Sequence, residues 1–180
     1  MASVLWRRLD AEGHDACRLV AVDDGWRLEG VAAFDHEGAA CAIAYTVECD
    51  PKWRTRGARL SGTRGDDRLE IRIERTAGDH WLLNGVDQIG AAGLVDLDLG
   101  FTPATNTIAI RRLDLAVGET RPAPAAYLAF PIARLDRLDQ TYARIDENHY
   151  RYTAPTYGYD DVLTVSAAGM VTSYPGLWIG

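Results

Sequence analysis

Short apolar runs recur along this chain at close spacing, separated by turn residues. That rhythm predicts a β sandwich or barrel rather than βαβ units. Residues 16–22 and 26–34 flank Asp23-Asp24-Gly25, a compact turn signal. The run 39–49 is apolar at almost every position, which predicts a strand covered on both faces. A further run over 56–61 contains Gly57, and Gly62 and Gly65-Asp66 mark the next turn. Leu69, Ile71 and Ile73 then alternate with Glu70, Arg72 and Glu74, the period of a half-solvated antiparallel strand. Ala77-Gly78-Asp79 leads into Trp81-Leu82-Leu83, and Asn84-Gly85 is another tight turn.

The second half repeats the pattern. Residues 94–99 alternate, with Asp96 and Asp98 opposite Val95, Leu97 and Leu99. Residues 102–106 read as a loop, and 107–115 and 126–132 as strands separated by Pro122 and Pro124. Residues 132–146 place Ile132, Leu135, Leu138, Tyr142 and Ile145 three or four apart. That spacing fits one amphipathic helix, although Tyr142, Arg144 and Asp146 equally continue a strand. Asn148-His149 turns a hairpin into 149–153, and Ala168-Gly169 turns another between 160–166 and 170–174. The expected fold is all-β and mostly antiparallel, a barrel-like or curved two-layer sheet with at most one or two short helices.

Length and composition keep this picture and narrow it. A chain of 180 residues suits one domain, here taken as 1–180, and can bury a sufficient core without staples. The net charge of -7 disfavours phosphate backbones, so nucleic acid is not an expected partner. Cys17, Cys41 and Cys49 form neither a disulfide framework nor a CxxC pair, and read as small buried hydrophobes. No signal peptide opens the sequence and no stretch is long enough for a transmembrane helix, so the expected location is cytoplasmic.

No GxSxG elbow, P-loop, HExxH or dinucleotide fingerprint is present, and no cofactor or metal is implied. His14, His36, His80 and His149 are scattered beside turn residues and read as surface loop positions. Asp96 and Asp98 share one strand face. They suit acid/base work or a hard cation, against a plainer reading as the solvated face of an antiparallel strand. Read as a strand, 107–115 puts Ile108, Ile110 and Arg112 on one face and Arg111, Leu113 and Leu115 on the other. One guanidinium must then lie against apolar surface. It needs an anionic ligand or a structural partner such as Asp50, Asp96 or Asp98. Asp50, Trp53 and Arg56 combine an aromatic plate with charged hydrogen-bonding groups, the vocabulary of sugar or headgroup recognition; the alternative is a loop anchored by Trp53. Tyr150, Tyr152 and Tyr174 supply rings with polar tips that suit either a pocket lining or core packing.

Several of these residues occur in a fixed order. Cys49-Asp50-x-x-Trp53-x-x-Arg56 comes first, then Asp96-x-Asp98. Thr102-Pro103-x-Thr105-Asn106-Thr107-x-x-Ile110-Arg111-Arg112-Leu113 follows, then Tyr150-x-Tyr152, then Val171-x-x-Tyr174-Pro175-Gly176-Leu177-Trp178. From Trp26 to Trp178 the chain resembles the Putative glycolipid-binding family of bacterial proteins. One departure is Ala109, where the family pattern has proline; it restores a backbone donor. The resemblance implies a β fold similar to the half-open barrels of lipoprotein carriers, and binding of an amphiphile. It carries over neither established site residues nor a location, because those carriers work outside the cytoplasm.

Three expectations follow. The first is non-catalytic binding of a glycolipid-like or lipid-like amphiphile in a β-barrel cavity. The apolar chain lies inside, and Arg56, Arg111 or Arg112 and Trp53 meet the polar head. Asp50, Asn106, Tyr150, Tyr152 and Tyr174 complete the candidate set. The second is an enzyme acting on a small or glycosylated substrate through Asp96 and Asp98 with an arginine anion clamp. The third is a scaffold or interaction domain, with a homodimer through a strand edge as one form.

Overall fold

The structure is a computed structural model that describes residues 2–131 and 134–180. The strands of the first half are β1 (Ala2–Arg8), β2 (Gly13–Val22), β3 (Gly25–His36), β4 (Ala39–Cys49), β5 (Thr55–Arg64), β6 (Asp67–Arg75), β7 (Trp81–Leu83) and β8 (Val86–Asp87). The middle of the chain gives β9 (Asp96–Leu99), the helix α1 (Asn106–Leu113), β10 (Thr120–Pro122), β11 (Ala125–Leu128) and β12 (Leu135–Leu138). The last strands are β13 (Thr141–Arg144), β14 (His149–Ala154), β15 (Tyr159–Val165), β16 (Val171–Tyr174) and β17 (Trp178–Ile179).

Fourteen strands make one antiparallel sheet in the order β10-β13-β14-β15-β16-β17-β1-β2-β3-β4-β5-β6-β7-β8. Its two edges, β10 and β8, do not pair, so the sheet is curved and open rather than closed into a barrel. A second sheet of β12, β11 and β9 combines with α1 to fill the inner face. There β9 runs parallel to β11. Leu97, Leu99, Phe101 and Ile108 from this inner layer pack with Trp6, Leu28, Ile43 and Leu60 of the large sheet. These side chains pack the inner layer against the large sheet along the first half.

The strands form because their large apolar residues fall at every second position. In β4, Cys41, Ile43, Tyr45, Val47 and Cys49 are buried while Ala40, Ala42 and Ala44 are exposed. This strand is covered on one face only: alanine counts as apolar in a sequence pattern yet exposes little when it faces water. All three cysteines are free and buried. Trp6 and Trp81 fix the depth of the layers. Each is fully buried, and their indole N–H groups donate to the carbonyls of Val171 (2.8 Å) and Leu94 (2.9 Å). Truncating either to alanine typically costs about 3–5 kcal/mol.

Two sequence expectations change here. Residues 107–115 belong to a helix and its C-terminal turn, not a strand. The residues from Asn106 to Ile110 are all buried, so the β-branched Thr107, Ile108 and Ile110 lie in the sunken first part of the helix. Enclosure by tertiary contacts overrides their strand preference. Residues 135–144 form β12 and β13 rather than a helix, while Ile132 lies outside the described residues.

Candidate functional site

Two concave regions gather chemistry. The first lies where the small sheet, the start of α1 and the C-terminal strands meet. It is a cavity of about 350 Å³. The parallel register of β9 and β11 sets Asp98 beside Tyr127. Tyr152 comes from β14, Tyr159 from β15 and Tyr174 from β16, while Asn106 opens α1. The rings brace one another. Tyr152 and Tyr174 lie 5.7 Å apart, Tyr159 and Tyr174 4.9 Å, and Tyr127 and Tyr157 5.3 Å, all tilted or edge-on. Such pairs add about 0.5–1.5 kcal/mol each beyond simple burial. Asn106 donates through Nδ2 to the Tyr142 hydroxyl at 2.7 Å, and the Tyr159 hydroxyl donates to the Pro175 carbonyl at 3.0 Å. Arg8 and Asp10 stand at the cavity, joined by two hydrogen bonds of 2.7 and 2.9 Å, and the Arg8 guanidinium lies 5.5 Å over the Trp178 ring.

Asp98 distinguishes this cavity. Its residue is 9% exposed, yet among the described residues its carboxylate accepts no hydrogen bond and forms no ion pair. Burial, reinforced by the nearby charge of Asp96, pushes its carboxyl up to about 7. Asp96 solves the same problem differently. It is buried at 1% exposure and takes both hydrogen bonds of Arg112, at 2.6 and 2.7 Å. Burial still raises its carboxyl, with Arg112 opposing. The solvated-face reading of Asp96 and Asp98 is thus overturned, because β9 lies in the inner layer and not at the surface. The two carboxylates are not offered together to a ligand, since Arg112 occupies one of them.

A buried polar cluster supports the cavity from behind. Tyr45 Oη donates to the Asp15 carboxylate (2.9 Å to Oδ2), and Thr102 Oγ1 also donates to it. Burial pushes Asp15 up to about 6. Gly30 makes this possible: Tyr45 is its cross-strand partner, and a Cβ there would overlap the ring. Thr102 lines the cavity and begins the turn that delivers Asn106.

The second region is an open polar depression of about 590 Å³ at the other end of α1. Trp53, Arg111, Asp114, Arg144 and Tyr150 line it. Arg111 lies 5.3 Å over the Trp53 ring, and Trp53 stacks on Trp26 at 4.8 Å. Trp53 holds φ of 64°, a conformation uncommon outside glycine.

The nine candidate residues therefore scatter. Asn106, Tyr152 and Tyr174 meet in the tyrosine-lined cavity. Trp53, Arg111 and Tyr150 meet in the depression. Arg112 is the structural partner of Asp96. Asp50 closes its own loop by accepting the amides of Lys52 and Arg54, both at 2.9 Å. Arg56 is a surface residue paired with Asp24 at 2.5 Å. The strand parity that placed one arginine inward does not hold on a helix, where neighbouring side chains diverge by about 100°. Sequence reasoning did not select Tyr127, Tyr157, Tyr159, Arg8 or Asp10. The tyrosine richness of the last third was the available signal for two of them.

No helix in the described residues is long and apolar enough to cross a membrane. No curated protein is significantly similar to the chain. Among solved structures, it resembles a DUF1089 family protein, PA1994, from Pseudomonas aeruginosa. The TM-score is 0.81 and the identity 28%, covering 92% of this chain and 91% of that one. The sequence profile described as "Putative glycolipid-binding" matches residues 3–179. The chain belongs to the Putative glycolipid-binding family.

Proposed function

We propose that this protein is a non-catalytic receptor for an amphiphile, and that the tyrosine-lined cavity takes the glycosyl-like polar head. One observation carries the reading. The cavity combines braced aromatic rings with two inward polar groups, Asp98 and Asn106, on rigid elements. Rings give flat apolar surface for a sugar face, and the polar groups fix its hydroxyls. A volume of about 350 Å³ suits a head group and not a lipid tail. On this reading any apolar tail stays outside the cavity. Exposed apolar groups near the mouth suit that arrangement: Tyr157 is 57% exposed, and Leu9, whose amide donates to the Leu177 carbonyl, is 44% exposed.

Calorimetric titration with short-chain alkyl glycosides tests this. Saturable binding is expected, weakened about tenfold by Tyr157→Ala through loss of one ring wall. Gly100→Ala should weaken it too, because a Cβ there would displace the Tyr127 ring. Absence of saturable binding, or binding indifferent to both substitutions, overturns the assignment.

A further inference from the structure

The head group can be specified further, on the reading that the cavity holds one. We infer that the tyrosine-lined cavity selects a cationic head, one bearing an ammonium nitrogen, and that Asp98 is its counter-ion.

A buried carboxylate is costly unless something pairs with it or neutralises it. Every other carboxylate facing this region has a partner. Asp96 is held by Arg112, and Asp10 by Arg8. Asp98 has none among the described residues, although its residue is only 9% exposed. Its open side is the cavity. The site therefore contains half of an ion pair.

The rest of the lining is chosen for the same ligand. Tyr127, Tyr152, Tyr157, Tyr159, Tyr174 and Trp178 supply rings, whose faces carry negative potential and attract cations. A carboxylate within an aromatic cage is the chemistry that recognises an ammonium group. A neutral sugar would find hydrogen bonds here but would leave the buried charge unpaired. The cation in the cavity lining, Arg8, is held by Asp10, with its guanidinium over Trp178 and Phe34.

The titratable neighbours of Asp98 leave it as the group that changes charge near neutrality. Asp96 lies behind it on β9, paired to Arg112 of α1. Tyr127 of β11, Tyr142 of β13, Tyr152 of β14 and Tyr174 of β16 are all pushed upward by burial and stay neutral. Arg8 holds Asp10 low, at the mouth. No described residue lining the cavity is a histidine.

An amino sugar and a choline-type head both carry such a nitrogen, and paired titrations separate these sources. Choline is compared with its neutral isostere 3,3-dimethylbutanol, and glucosamine with glucose, by NMR-detected titration of the intact protein. The expected result is a preference of about tenfold or more for the charged member of at least one pair. Which pair shows it identifies the source. Choline does not titrate, so its pair is repeated at pH 8 and pH 5.5. The preference should shrink at the lower pH, as Asp98 takes up a proton. Asp98→Asn should remove the preference at both values. If glucose or the neutral isostere binds as well as its charged partner, the inference fails while the head-group reading stands. If no member of either pair binds, and alkyl glycosides also fail, the head-group reading fails beneath it.

Discussion

Two carboxylates two residues apart on β9 meet burial in opposite ways, and their stabilities should part accordingly. Asp96 is neutralised by a guanidinium, so removing that partner leaves an uncompensated buried charge. Arg112→Ala should cost about 3–5 kcal/mol near pH 8 in urea unfolding. Loss of Arg112 raises the Asp96 carboxyl further, so the penalty should be smaller near pH 5, where Asp96 can protonate. Asp98 has no protein partner to lose. Its carboxyl is raised from about 4 in the unfolded chain to about 7 when folded. The folded state therefore holds its proton longer than the unfolded state does. Stability falls as pH rises from about 4 to about 7, and the loss is complete above that window. Asp98→Asn removes this burden, and should be more stable than the parent at pH 8, by up to ~4 kcal/mol. At pH 4 the two should unfold alike. Equal stability at pH 8, or a less stable variant, would show that the carboxylate has a partner in solution. A site that destabilises its own fold is a common signature of binding function.

Among elements, α1 controls most of the chemistry, and it is the element that the sequence disguised. Its first residue faces one concave region and its last turn faces the other. Arg111 and Arg112 sit in that last turn, where the helix dipole favours cations. The helix ends on Asp114, held at φ of 43° and ψ of 50°, a conformation that glycine adopts without strain. Asp114→Gly should raise the melting temperature by about 2–4 °C, corresponding to about 1 kcal/mol. Unchanged or lower melting would mean that the Asp114 side chain contributes more to the depression than its backbone costs. The strands with one wet face were legible, because charged residues at every second position leave no other reading. Leu69 to Glu74 shows this, and so do the hairpins at Asp23-Asp24-Gly25 and Ala168-Gly169. The helix was hidden because burial of all five residues from Asn106 to Ile110 erases the polar stripe that reveals a period of 3.6. For the same reason β9 read as a surface strand: its aspartates mimic a wet face but stand in an inner layer. Tyr152, Tyr174 and Asn106 were within reach of sequence reasoning through residue type. The partners that complete their cavity were not, because β9 and β11 meet only through the fold.

At the scale of the whole molecule, the large sheet consists of two runs of strands joined at one seam. β17 bridges β16 and β1 with two paired positions on each side, whereas β3 and β4 share eleven. A joint so short should open more readily than the long hairpins. In native-state hydrogen exchange, amides of 173–180 should lose protection before those of 28–47. A saturating cavity ligand should slow exchange at the seam in particular, because Arg8, Tyr174 and Trp178 flank both the seam and the cavity. Equal protection in the two regions would rule out the seam as the weak joint.

The seam also orders events in time. Arg8 and Trp178 belong to the same cavity yet lie far apart in sequence, so closing the cavity closes a long loop. During synthesis the hairpins of β2 to β6 can form as they emerge. The cavity cannot, because the wall at Trp178 is made long after the one at Arg8. On the proposed function, a nascent chain is therefore unable to take a head group until Trp178 is free, and capture of that head group would report that the seam has closed.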